Sequence, residues 1–200
     1  MAHIINRRAL IVVISFSALL LGGCSGVLGQ TPREQANDAI VEANQSIAEH
    51  NKLFEKARDT YAEVKQQIES GEDPSAERDR ITEAKNTLDE ARANLDDARE
   101  SLATVQDLDV DKDIKQYARL LSQAMDAQLA AEAKEVEFYD LLEEDPALEN
   151  NRDKALDLLD EIGAGYEEAE KAYGEAQDLA DSKPKLIEAA PASGNGPDNG

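Results

Sequence analysis

Few side chains in this sequence are equipped for nucleophilic, metal-binding or acid–base chemistry, and most of them stand alone. Cys24 is the only cysteine among 200 residues, so neither an intramolecular disulfide nor a cysteine-based metal site can form. The histidines are His3 and His50. No glutamate precedes His50 by three residues, because position 47 is Ile. His50 is therefore expected to be a partly exposed histidine on a helix seam, not a ligand. Asp107, Asp109, Asp111 and Asp113 alternate as the oxygen ligands of a calcium loop do, since a hard cation takes ligands from alternate positions. Counted from Asp107, however, the glycine position of such a loop holds Lys112 and the closing glutamate position holds Ala118. These aspartates are expected to cap the following helix and to favour the positive end of its dipole.

Other patterns also read as architecture. Tyr61, Tyr117, Tyr166 and Tyr173 fall at seam positions and are expected to be core residues with hydrated hydroxyls. Asn44-Gln45-Ser46 matches a glycosylation acceptor but falls in the middle of an expected helix. Gly163 and Gly165 also lie within an expected helix, so they do not form a phosphate-binding loop after a strand. A general acid needs a desolvated cleft to shift its pKa, and alanine-lined seams leave little room for one. No catalytic residue, metal ligand or cofactor is assigned.

Composition narrows the partners. The chain has 43 acidic and 21 basic residues, a net charge of −22. Such a surface repels nucleic-acid phosphates and anionic lipid, which excludes nucleic acid and leaves cationic or cation-bridged partners. Solubility, including solubility at high salt, accounts for the same charge. The 41% hydrophobic content overstates the core, because much of it is alanine and part sits in one block near the N-terminus.

That block organises the first thirty residues. Met1 to Arg8 contains Arg7 and Arg8 and no acid, Ala9 to Leu21 is an apolar run, and Leu21-Gly22-Gly23-Cys24 follows. A basic segment, an apolar segment and small residues make an export signal. The run is short of the roughly 20 apolar residues that a bilayer span requires. Leu21-Gly22-Gly23-Cys24 resembles the lipobox of prokaryotic lipoprotein precursors. The resemblance implies cleavage between Gly23 and Cys24, a diacylglyceryl-type lipid on the Cys24 sulfur, and retention on the extracytoplasmic face of a membrane. Two or more acyl chains give stable anchoring, at about 0.8 kcal/mol per buried methylene. Loss of Arg7 and Arg8 would leave 19 basic residues against 43 acidic ones, a net charge of −24. The Arg7-Arg8 pair also resembles a twin-arginine signal, and both export routes stay open. Ser25 to Gln30 would then be a short tether.

Downstream, Thr31-Pro32-Arg33-Glu34 combines an N-cap, a proline at the first helical position and a capping-box glutamate. Ala36, Ile40, Ala43, Ile47, His50, Phe54, Ala57, Tyr61, Val64 and Ile68 then recur at spacings of four and three, which predicts a long helix ending at Gly71. Asp73-Pro74 opens a second helix, with Ile81, Ala84, Leu88, Ala91, Leu95, Ala98, Leu102 and Val105 on one line. A third helix is expected from about Lys112 to Glu144, with Ile114, Tyr117, Leu121 and Ala124 inside. Its seam then falters. Keeping the phase puts Gln128 and Glu135 inside, whereas sliding by one recruits Leu129 and Val136, so either a stutter or a broad two-sided face is implied. After Asp145-Pro146, a fourth helix carries Ala155, Leu159, Ile162, Tyr166, Ala169, Tyr173, Ala176 and Ala180. Pro191 to Gly200 is rich in Pro, Gly, Asn and Ser, and residues 184–200 are expected to be disordered.

The expected layout is therefore a signal over residues 1–23, a lipid-anchored tether over 24–30, an all-α, elongated up-down bundle of three to four helices with heptad seams over 31–183, and a tail. Its lipobox and helical arrangement resemble small all-helical bacterial lipoproteins described as cell-wall-binding. That resemblance implies a structural or interaction role toward a cell-wall or envelope component, and it supplies no binding residues. The alternative is an extracytoplasmic ligand- or cation-binding module, which strands and a cleft would favour. A cluster of buried carboxylates with perturbed pKa values in one pocket would favour an enzyme.

Overall fold

The computed structural model describes residues 30–183. Four helices account for most of them: α1 (Pro32–Glu69), α2 (Arg78–Thr104), α3 (Lys112–Glu144) and α4 (Arg152–Ser182), and no strand occurs among the described residues. The expected signal with Gly23 and Cys24, the expected tether to residue 29 and the expected tail from residue 184 lie outside the described residues.

Local chemistry sets the helix ends. At the start of α1 the Thr31 hydroxyl accepts from the Glu34 amide, and the Glu34 carboxylate accepts from the Thr31 amide at 2.8 Å. Both partners of the capping box are thus in place. At the other end the Glu72 amide donates to the Gln67 carbonyl and the Gly71 amide to that of Ile68. This closure requires a left-handed residue at Gly71, whose φ is +101°; glycine adopts it without a Cβ penalty. Asp73 then caps a short 3-10 turn, Pro74–Glu77, by accepting from the Ser75 amide. Asp145 opens the third connection at the end of α3, and its carboxylate accepts from the amides of Glu149 and Asn150.

These connections are short, so neighbouring helices run antiparallel. α1 packs on α2, α2 on α3 and α3 on α4. At about 1.5 Å per residue, the 38 residues of α1 make a rod more than 50 Å long. The seam of α2 is wholly buried, from Ile81 through Val105. In α1 the buried set is Ala36, Ile40, Ala43, His50, Phe54, Ala57 and Val64, with Ala39 beside them, while Ile47, Tyr61 and Ile68 are half-buried. In α4 Leu158 is buried and Leu159 only half-buried, one position from the sequence expectation. α3 has the broad face that its faltering seam implied: Leu129, Ala131, Glu132, Glu135, Phe138 and Tyr139 are all buried.

The buried apolar side chains form two clusters, not one. The first joins Ala36 to Ala43 of α1, Leu95 to Leu102 of α2, Ile114 to Leu129 of α3 and Tyr173 to Ala180 of α4. The second joins Phe54 to Val64, Ile81 to Ala91, Phe138 to Leu142 and Ala155 to Ile162. Each cluster takes opposite halves of successive helices, as an up-down-up-down chain must. The level between them is occupied by polar side chains.

Candidate functional site

The polar level is built mainly from α1, α3 and α4. On α3, Gln128, Glu132, Glu135 and Tyr139 follow at spacings of four, three and four, which places them on one face. His50 of α1 meets this face from the opposite hairpin: its Nε2 lies 2.8 Å from Glu132 Oε1, and its Nδ1 lies 3.0 Å from Asn51 Oδ1. Both ring nitrogens therefore face oxygen acceptors. Gln128 donates to the same Glu132 oxygen at 2.9 Å and accepts from the Tyr173 hydroxyl, also at 2.9 Å.

Two turns further along α1, Arg58 donates to Glu135 at 3.1 Å. The Tyr166 hydroxyl donates to the same carboxylate at 2.7 Å, and that of Tyr139 at 3.3 Å. The Arg58 guanidinium lies between two rings, 4.4 Å from the centroid of Phe54 and 4.9 Å from that of Tyr166, a cation–π arrangement. Phe54 in turn stacks on His50, with centroids 5.4 Å apart. Burial, the largest single influence, works against the charge of Arg58, but Glu135, Tyr166 and Tyr139 together outweigh it and the guanidinium is held more firmly protonated than usual. Burial, followed by the nearby carboxylate of Glu135, pushes the phenols of Tyr139 and Tyr166 up. Burial and Glu132 do the same to Tyr173.

The level is incompletely satisfied. Glu132 Oε2 and Arg58 Nε are both buried without a hydrogen-bond partner. An orphaned buried polar atom costs about 1–3 kcal/mol, so these two atoms offset part of what the other bonds contribute. Beside the level the helices approach closely. A Cβ built on Gly165 would sit 2.8 Å from the Cβ of Ala131 and 3.2 Å from its Cα, so α4 needs glycine to pass α3 here.

The structure corrects two sequence expectations. His50 is completely buried, not partly exposed, because Glu132 arrives from a helix whose pairing the local pattern did not reveal. The hydroxyls of Tyr166 and Tyr173 are not hydrated ends but donors to protein acceptors within the level. Of the Asp107 to Asp113 series, Asp111 is the cap of α3 and Asp113 lies in its first turn. Asp111 accepts from the Asp113 amide at the start of α3, and Asp113 pairs with Lys183 at 2.6 Å. No group of three or more potential metal ligands occurs among the described residues. Asn44 lies within α1, and Gly163 and Gly165 lie within α4. Glu132, Tyr139 and Arg58 are members of the level that sequence reasoning missed. For the two on α3 the signal was its faltering seam; Arg58, on α1, had none.

No described helix is long and apolar enough to cross a membrane. Compared with protein-family models, curated protein sequences and solved structures, the chain matches none.

Proposed function

We propose that this protein is an exported lipoprotein whose lipid, carried on Cys24, fixes an acidic four-helix rod to the extracytoplasmic face of a membrane. There the rod serves a structural or interaction role toward a cell-wall or envelope component, without catalysis. The observation that carries this reading is the succession Leu21-Gly22-Gly23-Cys24 after an apolar run, with the capped start of α1 at Thr31 only a few residues beyond it. A tether that short keeps one end of the rod beside the lipid. The acidic surface discourages the rod from lying flat on anionic headgroups.

The polar level supports a holding role. Glu135 is engaged by Arg58, Tyr139 and Tyr166, and Glu132 by His50 and Gln128, while an apolar cluster lies on either side. Such groups fix helices against one another.

Membrane fractionation with mass spectrometry of the mature N-terminus tests the reading. A diacylated Cys24 at the new terminus, and release of Cys24→Ala from the membrane fraction, are expected. An unmodified Cys24 in membrane-bound wild-type protein would refute it.

A further inference from the structure

The fully buried seam of α2 carries little information about register. In α2, Leu88-Asp89-Glu90-Ala91-Arg92 is followed seven residues later by Leu95-Asp96-Asp97-Ala98-Arg99. Sliding α2 by one heptad exchanges leucine for leucine and alanine for alanine. A repetitive apolar pattern of this kind admits neighbouring registers and wrong partners at similar free energy. The polar contacts do not. If α1 slid by seven residues, the place of His50 would fall to Ala43 or Ala57, and Glu132 would keep only Gln128.

The contacts between the α1–α2 hairpin and the α3–α4 hairpin also share a polarity. His50 and Arg58 of α1 face Glu132 and Glu135 of α3. Lys85 of α2 faces Asp140 and Glu143 of α3, and Arg99 of α2 faces Asp126 of α3. In every ion pair described between the hairpins, α1–α2 supplies the nitrogen and α3–α4 the carboxylate. Pairs within the α1–α2 hairpin run both ways: Arg80 of α2 faces Glu63 of α1, and Lys56 of α1 faces Glu83 of α2.

We infer that this one-way polarity, centred on the buried level, is a recognition code by which the α1–α2 hairpin selects the α3–α4 hairpin of its own chain in one register. Two α1–α2 hairpins facing each other would set donors against donors. Two α3–α4 hairpins would bury Glu132 and Glu135 against carboxylates. Truncating one partner of a buried pair strands the other, whereas replacing both by apolar groups is often neutral or stabilising. The orphaned Glu132 Oε2 and Arg58 Nε fit that balance. The level gives up stability, and what it returns is the choice of partner.

The test uses full-length light- and heavy-nitrogen chains, unfolded together, refolded and joined by a zero-length carbodiimide. In the wild type Lys85 is expected to link to Asp140 and Glu143 of the same chain. In the variant carrying His50→Leu, Arg58→Leu, Glu132→Leu and Glu135→Leu, circular dichroism should still report a helical protein. Its links should spread to light–heavy pairs and to other acids. Unchanged, same-chain Lys85 links in this helical variant would overturn the inference. Arg58→Glu covers the case in which the fourfold variant does not fold. It should raise light–heavy links above the wild type, and adding Glu135→Arg should bring them back down. Failure of either response would also overturn the inference.

Discussion

His50 Nε2 and Glu132 Oε1 lie 2.8 Å apart although the residues are 82 positions apart in sequence. The contact joins the first helix to the third, at the one level where apolar packing is interrupted. Around it the phenols, the Gln128 amide and the Arg58–Glu135 pair form a polar core whose members are held by one another. The following outcomes are expected from that arrangement.

All five tyrosines of the chain are shielded. Burial pushes Tyr61 and Tyr117 up to about 12, and it pushes Tyr139, Tyr166 and Tyr173 up as well. A phenol in an unfolded chain ionises near about 10. Because the folded values are raised, the stability that these phenols contribute is complete below about pH 10 and is lost as pH rises toward the folded values. Ultraviolet difference spectroscopy at about pH 11 should show little phenolate in the folded protein, with phenolate appearing together with loss of helix. Gradual ionisation of several tyrosines while the circular dichroism stays unchanged would contradict this.

Gly163 and Gly165 should respond oppositely to alanine. A Cβ on Gly163 meets nothing within 4 Å, so Gly163→Ala should stabilise the protein by about 0.5–1 kcal/mol through helix propensity alone. Gly165→Ala must push against Ala131 and should cost about 1–3 kcal/mol. Thermal melts of the two variants should move in opposite directions.

The α2 seam is tested by neighbours in sequence. Leu95 is fully buried, and Leu95→Ala should cost about 2–5 kcal/mol. Asp96, whose side chain is 56% exposed and pairs with Arg99, should tolerate Asp96→Ala at under about 0.5 kcal/mol. Denaturant titrations with similar midpoints for both would mean that the seam is not a buried interface.

Much of the fold was legible because its signals are local. Thr31, Pro32 and Glu34 mark the start of α1, Gly71 and Asp73 mark the first turn, and the strict spacing from Ile81 to Val105 marks the buried line of α2. All of these depend on interactions within a few residues. The polar level was not legible, because whether His50 is wet or dry depends on Glu132, which sits off the seam phase set by Ile114, Tyr117 and Leu121. The one trace of it in the sequence was the interruption at Gln128 and Glu135. Two apolar phases competed there because α3 presents a broad face to its neighbours. Leu158 displaced Leu159 for a related reason: at the start of α4 the heptad line and the face that meets the second apolar cluster differ by about one residue.

The most direct measurement is a double-mutant cycle on His50 and Glu132 by equilibrium unfolding. If these side chains form a buried pair at the waist of the bundle, His50→Leu and Glu132→Leu should not behave alike. His50→Leu strands a buried carboxylate and should cost about 3–5 kcal/mol. Glu132→Leu leaves an imidazole that keeps its Asn51 partner, and it should cost less. The double variant should recover most of the loss, with a coupling of about 1–3 kcal/mol. Single variants within about 0.5 kcal/mol of the wild type and a coupling near zero would show that the two residues do not meet, and the polar level would have to be abandoned.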